Sequence, residues 1–75
     1  MKDLIEYIAN WLVDEPEAVR VEEHQRGNRV VVRLRVDEQD MGRVIGREGR
    51  VAGAMRTLLQ MSGSVRGRQT SLEIR

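Results

Sequence analysis

The residues with the most chemical potential lie in one stretch, DMGRVIGREGRVAGAMRTLL at positions 40–59, where Gly46-Arg47-Glu48-Gly49 separates two segments of helical character. Gly46 stands where a helix has to end in a left-handed turn, a conformation open to glycine without steric cost. Gly49 stands where the next helix begins and its first backbone N–H groups have no intrahelical partner. With no Cβ at either position, a sugar-phosphate chain can approach the main chain and accept hydrogen bonds at the positive end of a helix dipole. Arg50, in the first turn, opposes that dipole by a few tenths up to about 1 kcal/mol, and an arriving phosphate reverses the sign. Arg47 at the tip can reach the same or the next phosphate, and Arg43, one turn earlier, flanks it. Glu48 repels a phosphate and is read as a residue that orders or tunes the loop. The chemistry expected of the tetrad is anion binding without a bond made or broken.

Other chemistry finds little support. The chain has no cysteine and one histidine, His24, so a thiolate zinc site, a disulfide framework and a thiol nucleophile are excluded, and His24 reads as a surface strand residue. Ser62, Ser64, Thr70 and Ser71 have no nearby histidine to activate them. No glycine pattern continues into Gly-Lys-Ser/Thr, which excludes a nucleotide-hydrolysing loop. The expectation is a protein that is not an enzyme and holds no metal or cofactor.

Charge supports a polyanion. A net charge of +1 conceals a split: through residue 40 six bases face ten acids, giving −4, while from Met41 on seven arginines face Glu48 and Glu73, giving +5. Such a division suits a basic face turned to a polyanion and an acidic remainder that limits nonspecific adhesion. At 75 residues the chain is expected to form one domain, residues 1–75, near the lower limit for a core without disulfides or metals. The acidic N-terminal segment is unlike a signal peptide, and no run approaches 18 apolar residues, so a soluble, cytoplasmic protein without membrane contact is expected.

The elements that position the tetrad follow from periodicity. Leu4, Ile5, Ile8, Trp11 and Leu12 fall on one face of a helix over 3–14, with Asp3 as its expected N-cap and Tyr7 and Trp11 as core or core-edge residues. Asp14-Glu15-Pro16 ends it. Val19 and Val21, then Val30, Val32, Leu34 and Val36, alternate on either side of Gly27-Asn28, which predicts a β-hairpin. Arg29, Val31, Arg33 and Arg35 take its opposite face, open to water or a partner. Asp40 is the expected N-cap of a short helix through Met41, Val44 and Ile45 to Gly46. A longer helix runs from Arg50 to about Gln60 with Val51, Ala52, Met55, Leu58 and Leu59 inward, ended by Gly63. Thr70 to Arg75 alternates as a last strand. The class is α+β in the order α-β-β-α-α-β. Parallel pairing of the last strand makes a mixed three-stranded sheet with three helices on one face, joined by a crossover of the usual right hand.

In that order of elements, GRVIGREGRVAGAMRTLL resembles the signature of KH domains, the Val-Ile-Gly-x-x-Gly-Arg element, in the bacterial type II arrangement. The resemblance covers nearly the whole chain and implies that the loop grips the backbone of about four single-stranded nucleotides. It assigns Gly46, Arg47, Glu48 and Gly49 to that loop, with Arg50 beside it. Val44, Ile45 and Ala52 would line an apolar groove for bases, with the strand holding Val32 to Val36 as its far wall. Glu48 departs from loops that carry basic or neutral residues between the glycines. With aromatic stacking scarce, worth about 1–3 kcal/mol per base where present, single-stranded RNA is expected to bind weakly, with strong salt dependence and loose specificity.

Ala54 and Met61 lie away from the core stripe of the second crossover helix, with Leu58 between, and together they give it an apolar shoulder, a candidate protein interface. The resemblance implies partnership, through a homodimer or a heterodimer with a larger KH-containing protein, and a cellular role as an RNA chaperone or post-transcriptional regulator. The alternative is an interaction module in which nucleic-acid binding is secondary. A helix-turn-helix for duplex DNA ranks last, because the second helix offers only Arg56, Thr57 and Gln60 to base edges.

Overall fold

The computed structural model describes residues 1–75 as α1 (Lys2–Leu12), β1 (Arg20–Arg26), β2 (Arg29–Arg35), α2 (Met41–Ile45), α3 (Arg50–Val65) and β3 (Gln69–Ile74). Single 3-10 turns at Pro16–Ala18, Glu38–Asp40 and Arg47–Gly49 join them. The sheet order is β1-β2-β3, with β1 antiparallel and β3 parallel to β2. This is the α+β type II KH arrangement expected from the sequence.

Alternation along β2 sets the layers. Val30, Val32 and Leu34 are buried under the helices, while Arg29, Val31, Arg33 and Arg35 occupy the other, more open phase. Ile5 and Ala9 of α1, Val44 of α2, and Met55 and Leu59 of α3 complete the core with Leu72 of β3. A helix stripe against one sheet face is the packing that buries both.

Several local expectations are corrected. Helix α1 begins at Lys2 with Met1 at its N-cap, so Asp3 lies inside the first turn, where its charge favours the dipole without capping. Tyr7 and Trp11 belong to neither the core nor its edge: they are 65 % and 76 % exposed and pack edge to face at 6.4 Å on the solvent side of α1. The core stripe runs instead through Ile5 and Ala9, flanked by Ile8 and Leu12.

Asp40 stands at the N-cap position of α2, but its side chain makes no capping hydrogen bond. Its carboxylate is buried and accepts the backbone N–H groups of Asp14 (3.2 Å) and Glu15 (3.1 Å), tying the segment after α1 to the start of α2. The side-chain cap lies one turn earlier, where Asp37 accepts from Gln39 N–H at 2.9 Å.

Gly63 does not end α3. The helix continues to Val65 and closes at Gly67 (φ +68°), with Arg68 N–H donating to Gly63 C=O (2.8 Å) and Gly67 N–H to Ser64 C=O (3.1 Å). These two bonds form a Schellman closure around a left-handed glycine. Gly63 serves close packing instead: a Cβ there would stand 2.5 Å from Thr70 Cγ2 and 2.8 Å from Arg68 C=O.

Candidate nucleic-acid interface

The α2–α3 junction is a tight turn whose shape depends on three residues with positive φ. Gly46 (φ 76°, ψ 171°) leaves α2, and Glu48 (φ 57°, ψ 25°) and Gly49 (φ 74°, ψ 17°) sit consecutively in the left-handed region. Glu48 is the only non-glycine residue with positive φ, a conformation that disfavours an L side chain by roughly 1–2 kcal/mol. The two glycines have different reasons. A Cβ on Gly46 would meet Val51 at 2.5 Å, whereas one on Gly49 would face open space. Gly46 therefore lets the chain double back on α3, and Gly49 leaves the outer surface of the turn bare.

Backbone donors are less available than the sequence suggests. Gly49 N–H donates to Gly46 C=O at 3.1 Å, and Arg50 N–H closes onto Arg47 C=O. The expectation of unpartnered amides thus fails at Gly49 and Arg50, because the turn closes as a 3-10 element.

The arginines divide by commitment. Arg43 is paired with Asp14, whose hydrogen bond and charge raise the guanidinium pKa above its ordinary value, with a smaller contribution from Asp40. Arg50 lies 3.8 Å from Glu48, both well exposed, a pair that solvent screens to little energy. Arg47 is exposed at the tip and in ion-pair contact with no acid. Of the three, Arg47 is the one whose charge is free for an incoming anion.

The apolar residues assigned to the groove lie at different depths. Val44 is fully buried and Ala52 nearly so, whereas Ile45 is 37 % exposed beside the loop. Val44 and Ala52 thus belong to the packed interior, and of the three only Ile45 offers apolar surface to solvent. Thr57 Oγ1 donates back to Gly53 C=O at 3.1 Å, and Arg56, Thr57 and Gln60 are the exposed polar positions in this part of α3.

Along α3, Ala54, Leu58 and Met61 are exposed, as the sequence indicates, but Leu58, at 44 %, stands outside the core stripe in which it was also placed. The stripe gains Val65, 89 % exposed. Sequence reasoning missed Val65 because it ended the helix near Gln60; the 4-3-4 spacing of 54, 58, 61 and 65 was the signal available. Asp14, the partner of Arg43, was missed because no local pattern links residues so far apart.

The comparisons bear on this geometry. A family model described as "KhpA/KhpB, KH domain" matches residues 2–74. This chain belongs to the KhpA/KhpB KH-domain family. The protein named RNA-binding protein KhpA from Aquifex aeolicus is 45 % identical over 99 % of this chain and 94 % of its own length. Its namesake from Halalkalibacterium halodurans is 43 % identical over 99 % and 97 %. Among solved structures, Era in complex with MgGDPNP and a segment of 16S ribosomal RNA matches 97 % of this chain and 28 % of that one, with TM-score 0.57 and 22 % identity, a likeness of fold. No helix is long and apolar enough to cross a membrane.

Proposed function

We propose that this KhpA/KhpB-family chain is a noncatalytic, cytoplasmic protein that binds single-stranded RNA, gripping its backbone at the Gly46-Arg47-Glu48-Gly49 turn. The observation that carries the reading is the bare outer surface of that turn at Gly49, set beside the uncommitted guanidinium of Arg47. That relatives are named RNA-binding proteins supports RNA as the polyanion. Arg50 sits beside the phosphate path, Arg43 flanks it while holding Asp14, and Ile45 offers a base an apolar contact backed by Val44 and Ala52. Glu48 shapes the turn and reduces its net charge, so recognition is weak, salt-sensitive and loosely specific. A role as an RNA chaperone or post-transcriptional regulator fits such binding.

The test is fluorescence anisotropy of short single-stranded RNAs at two salt concentrations, with single-stranded DNA and duplex competitors. Gly49→Asp and Arg47→Glu are the variants of choice, because neither side chain meets a packed neighbour; Gly46→Asp/Gly49→Asp is added with circular dichroism as a check on folding. Binding that falls with salt and is lost in folded Gly49→Asp supports the reading. Equal binding by native and variant chains removes the turn from the mechanism, and preference for duplex DNA refutes it.

A second reading rests on the exposed stripe Ala54, Leu58, Met61 and Val65. Its spacing is that of a helix–helix seam, which favours a homodimer or a heterodimer with a KhpB-like KH protein. Joining two weak sites raises the effective RNA affinity without new contacts.

A further inference from the structure

The face of the sheet turned away from the helices carries an arrangement that the loop does not use. Strand register places Arg26 directly opposite Arg29 at the hairpin end and Arg20 directly opposite Arg35 at the other. Like charges facing each other across a strand pair are unfavourable, and this sheet holds two such pairs. At the far end, Arg20 turns its guanidinium to the C=O groups of Glu17 (2.7 Å) and Val19 (2.8 Å). In the central row, Arg33 is held by Glu73 at 2.7 Å. Arg26 and Arg29 have no acidic partner.

We propose that the hairpin end of this open face, Arg26 and Arg29 with Arg68 beside them, is a second contact for the phosphodiester backbone of RNA, separate from the Gly46–Gly49 turn. Arg26, Arg29 and Arg33 line one shallow hollow, and Arg29 also lines the next hollow, which carries Arg68 around the edge of β3. The planar fork of arginine pairs with phosphate bidentately, and an anion between Arg26 and Arg29 relieves their repulsion. The face points to nucleic acid rather than to an acidic protein because Val31 is its one apolar residue. Protein interfaces are anchored by buried aromatic and apolar side chains, whereas nucleic-acid interfaces are polar and positive. The turn lies at the start of α3 and this patch beyond its end, so the 16 residues of the helix put about 24 Å between them. An RNA that fills the turn with about four nucleotides must run on to reach the patch.

The inference rests on RNA binding as proposed above, and its test separates the two. Anisotropy titrations use the full chain, Arg26→Gln/Arg29→Gln and Gly49→Asp, each with an RNA of about five nucleotides and one of roughly 20 nucleotides. The arginine variant is expected to bind the short RNA as the native chain does and the long RNA about tenfold more weakly, with the salt slope reduced by about 1.4 for two lost phosphate contacts. Its melting temperature is expected to be unchanged or higher, since a like-charge pair is removed. Native affinity and slope for the long RNA in this variant would overturn the inference while leaving the turn intact. Equal loss for both RNAs overturns it too, because the arginines would then serve the turn. So does loss of polyglutamate binding with RNA binding retained, which assigns the face to an acidic peptide. Long-RNA binding that survives Gly49→Asp and vanishes in the arginine variant upholds the patch and removes the turn. Binding of neither RNA by the native chain ends both readings.

Discussion

Gly46 and Val51 are packed so closely that a Cβ on Gly46 would lie 2.5 Å from Val51 Cγ2 and 2.9 Å from the Val51 backbone nitrogen. No rotation of the Val51 side chain relieves the second contact. Gly46→Ala combines this overlap with a positive φ and is expected to destabilise the chain by about 3 kcal/mol. Gly49→Ala, with nothing near its Cβ, is expected to cost about 1 kcal/mol. Urea denaturation of the two variants measures the difference; equal losses would show that the turn does not fold back on α3 as described.

Asp40 links two parts of the chain that share no periodic pattern. Its buried carboxylate accepts the N–H groups of Asp14 and Glu15. Asp40→Ala leaves both donors without a partner and is expected to lower stability by about 2–3 kcal/mol, whereas Asp40→Asn keeps one acceptor and loses less. Hydrogen exchange at the Asp14 and Glu15 amides, faster in Asp40→Ala than in the native chain, is the local check.

The exposed stripe on α3 gives a prediction about association. Met61→Asp/Val65→Asp adds charge where both side chains face solvent, 62 % and 89 % exposed, so the folded monomer is expected to lose only about 1 kcal/mol, from like charges one turn apart near the end of α3. Sedimentation velocity is expected to show the native chain self-associating and the variant as a monomer, with association weakened at least tenfold by two charges in an apolar seam. A monomeric native chain at high concentration, with no pairing to a KhpB-like protein, would contradict the interface.

Two carboxylates give opposite responses to acid. Glu23 accepts Lys2 N–H at 2.9 Å, which holds its pKa below the ordinary 4.5. Because the folded value is depressed, its contribution is complete above about pH 4.5 and is lost as pH falls through the lower folded value. Glu15 is raised by its hydrogen bond with Glu17 and by that neighbour's charge. Its ionised form is therefore disfavoured in the folded state, and protonation relieves the strain as pH falls through the raised value. Thermal melts from pH 7 to 3 are expected to show Glu23→Gln less stable than native at neutral pH with the gap closing in acid. Glu15→Gln is expected to be slightly more stable at neutral pH, again converging in acid.

What the sequence disclosed, and what it did not, divides by distance along the chain. Val30, Val32 and Leu34 announce their strand and its buried face through alternation alone, with the buried Val36 just beyond the strand end, and Gly27-Asn28 marks the hairpin turn. The tetrad was equally plain. Hidden were the features set by residues brought together from afar, Asp40 with Asp14 and Arg43 with Asp14. Gly63 was read as a helix end because a glycine after a periodic run commonly is one, yet the true closure waits for Gly67. Helical spacing with Ile8 and Leu12 points Trp11 to the core, although the buried position on that side of α1 is the small Ala9.

The parallel pairing of β2 with β3 imposes an order on assembly. Arg29 of β2 finds its partner only at Gln69, and the last pair joins Leu34 to Ile74. The hairpin of β1 and β2 closes through neighbours in sequence and can form early, whereas the parallel half of the sheet must wait for a long loop to be drawn shut. The Gly46–Gly49 turn lies inside that loop, between helices anchored by β3. During synthesis the turn can close through its own neighbours, but the helices on either side of it are expected to gain their seat on a complete sheet only once the residues of β3 have emerged.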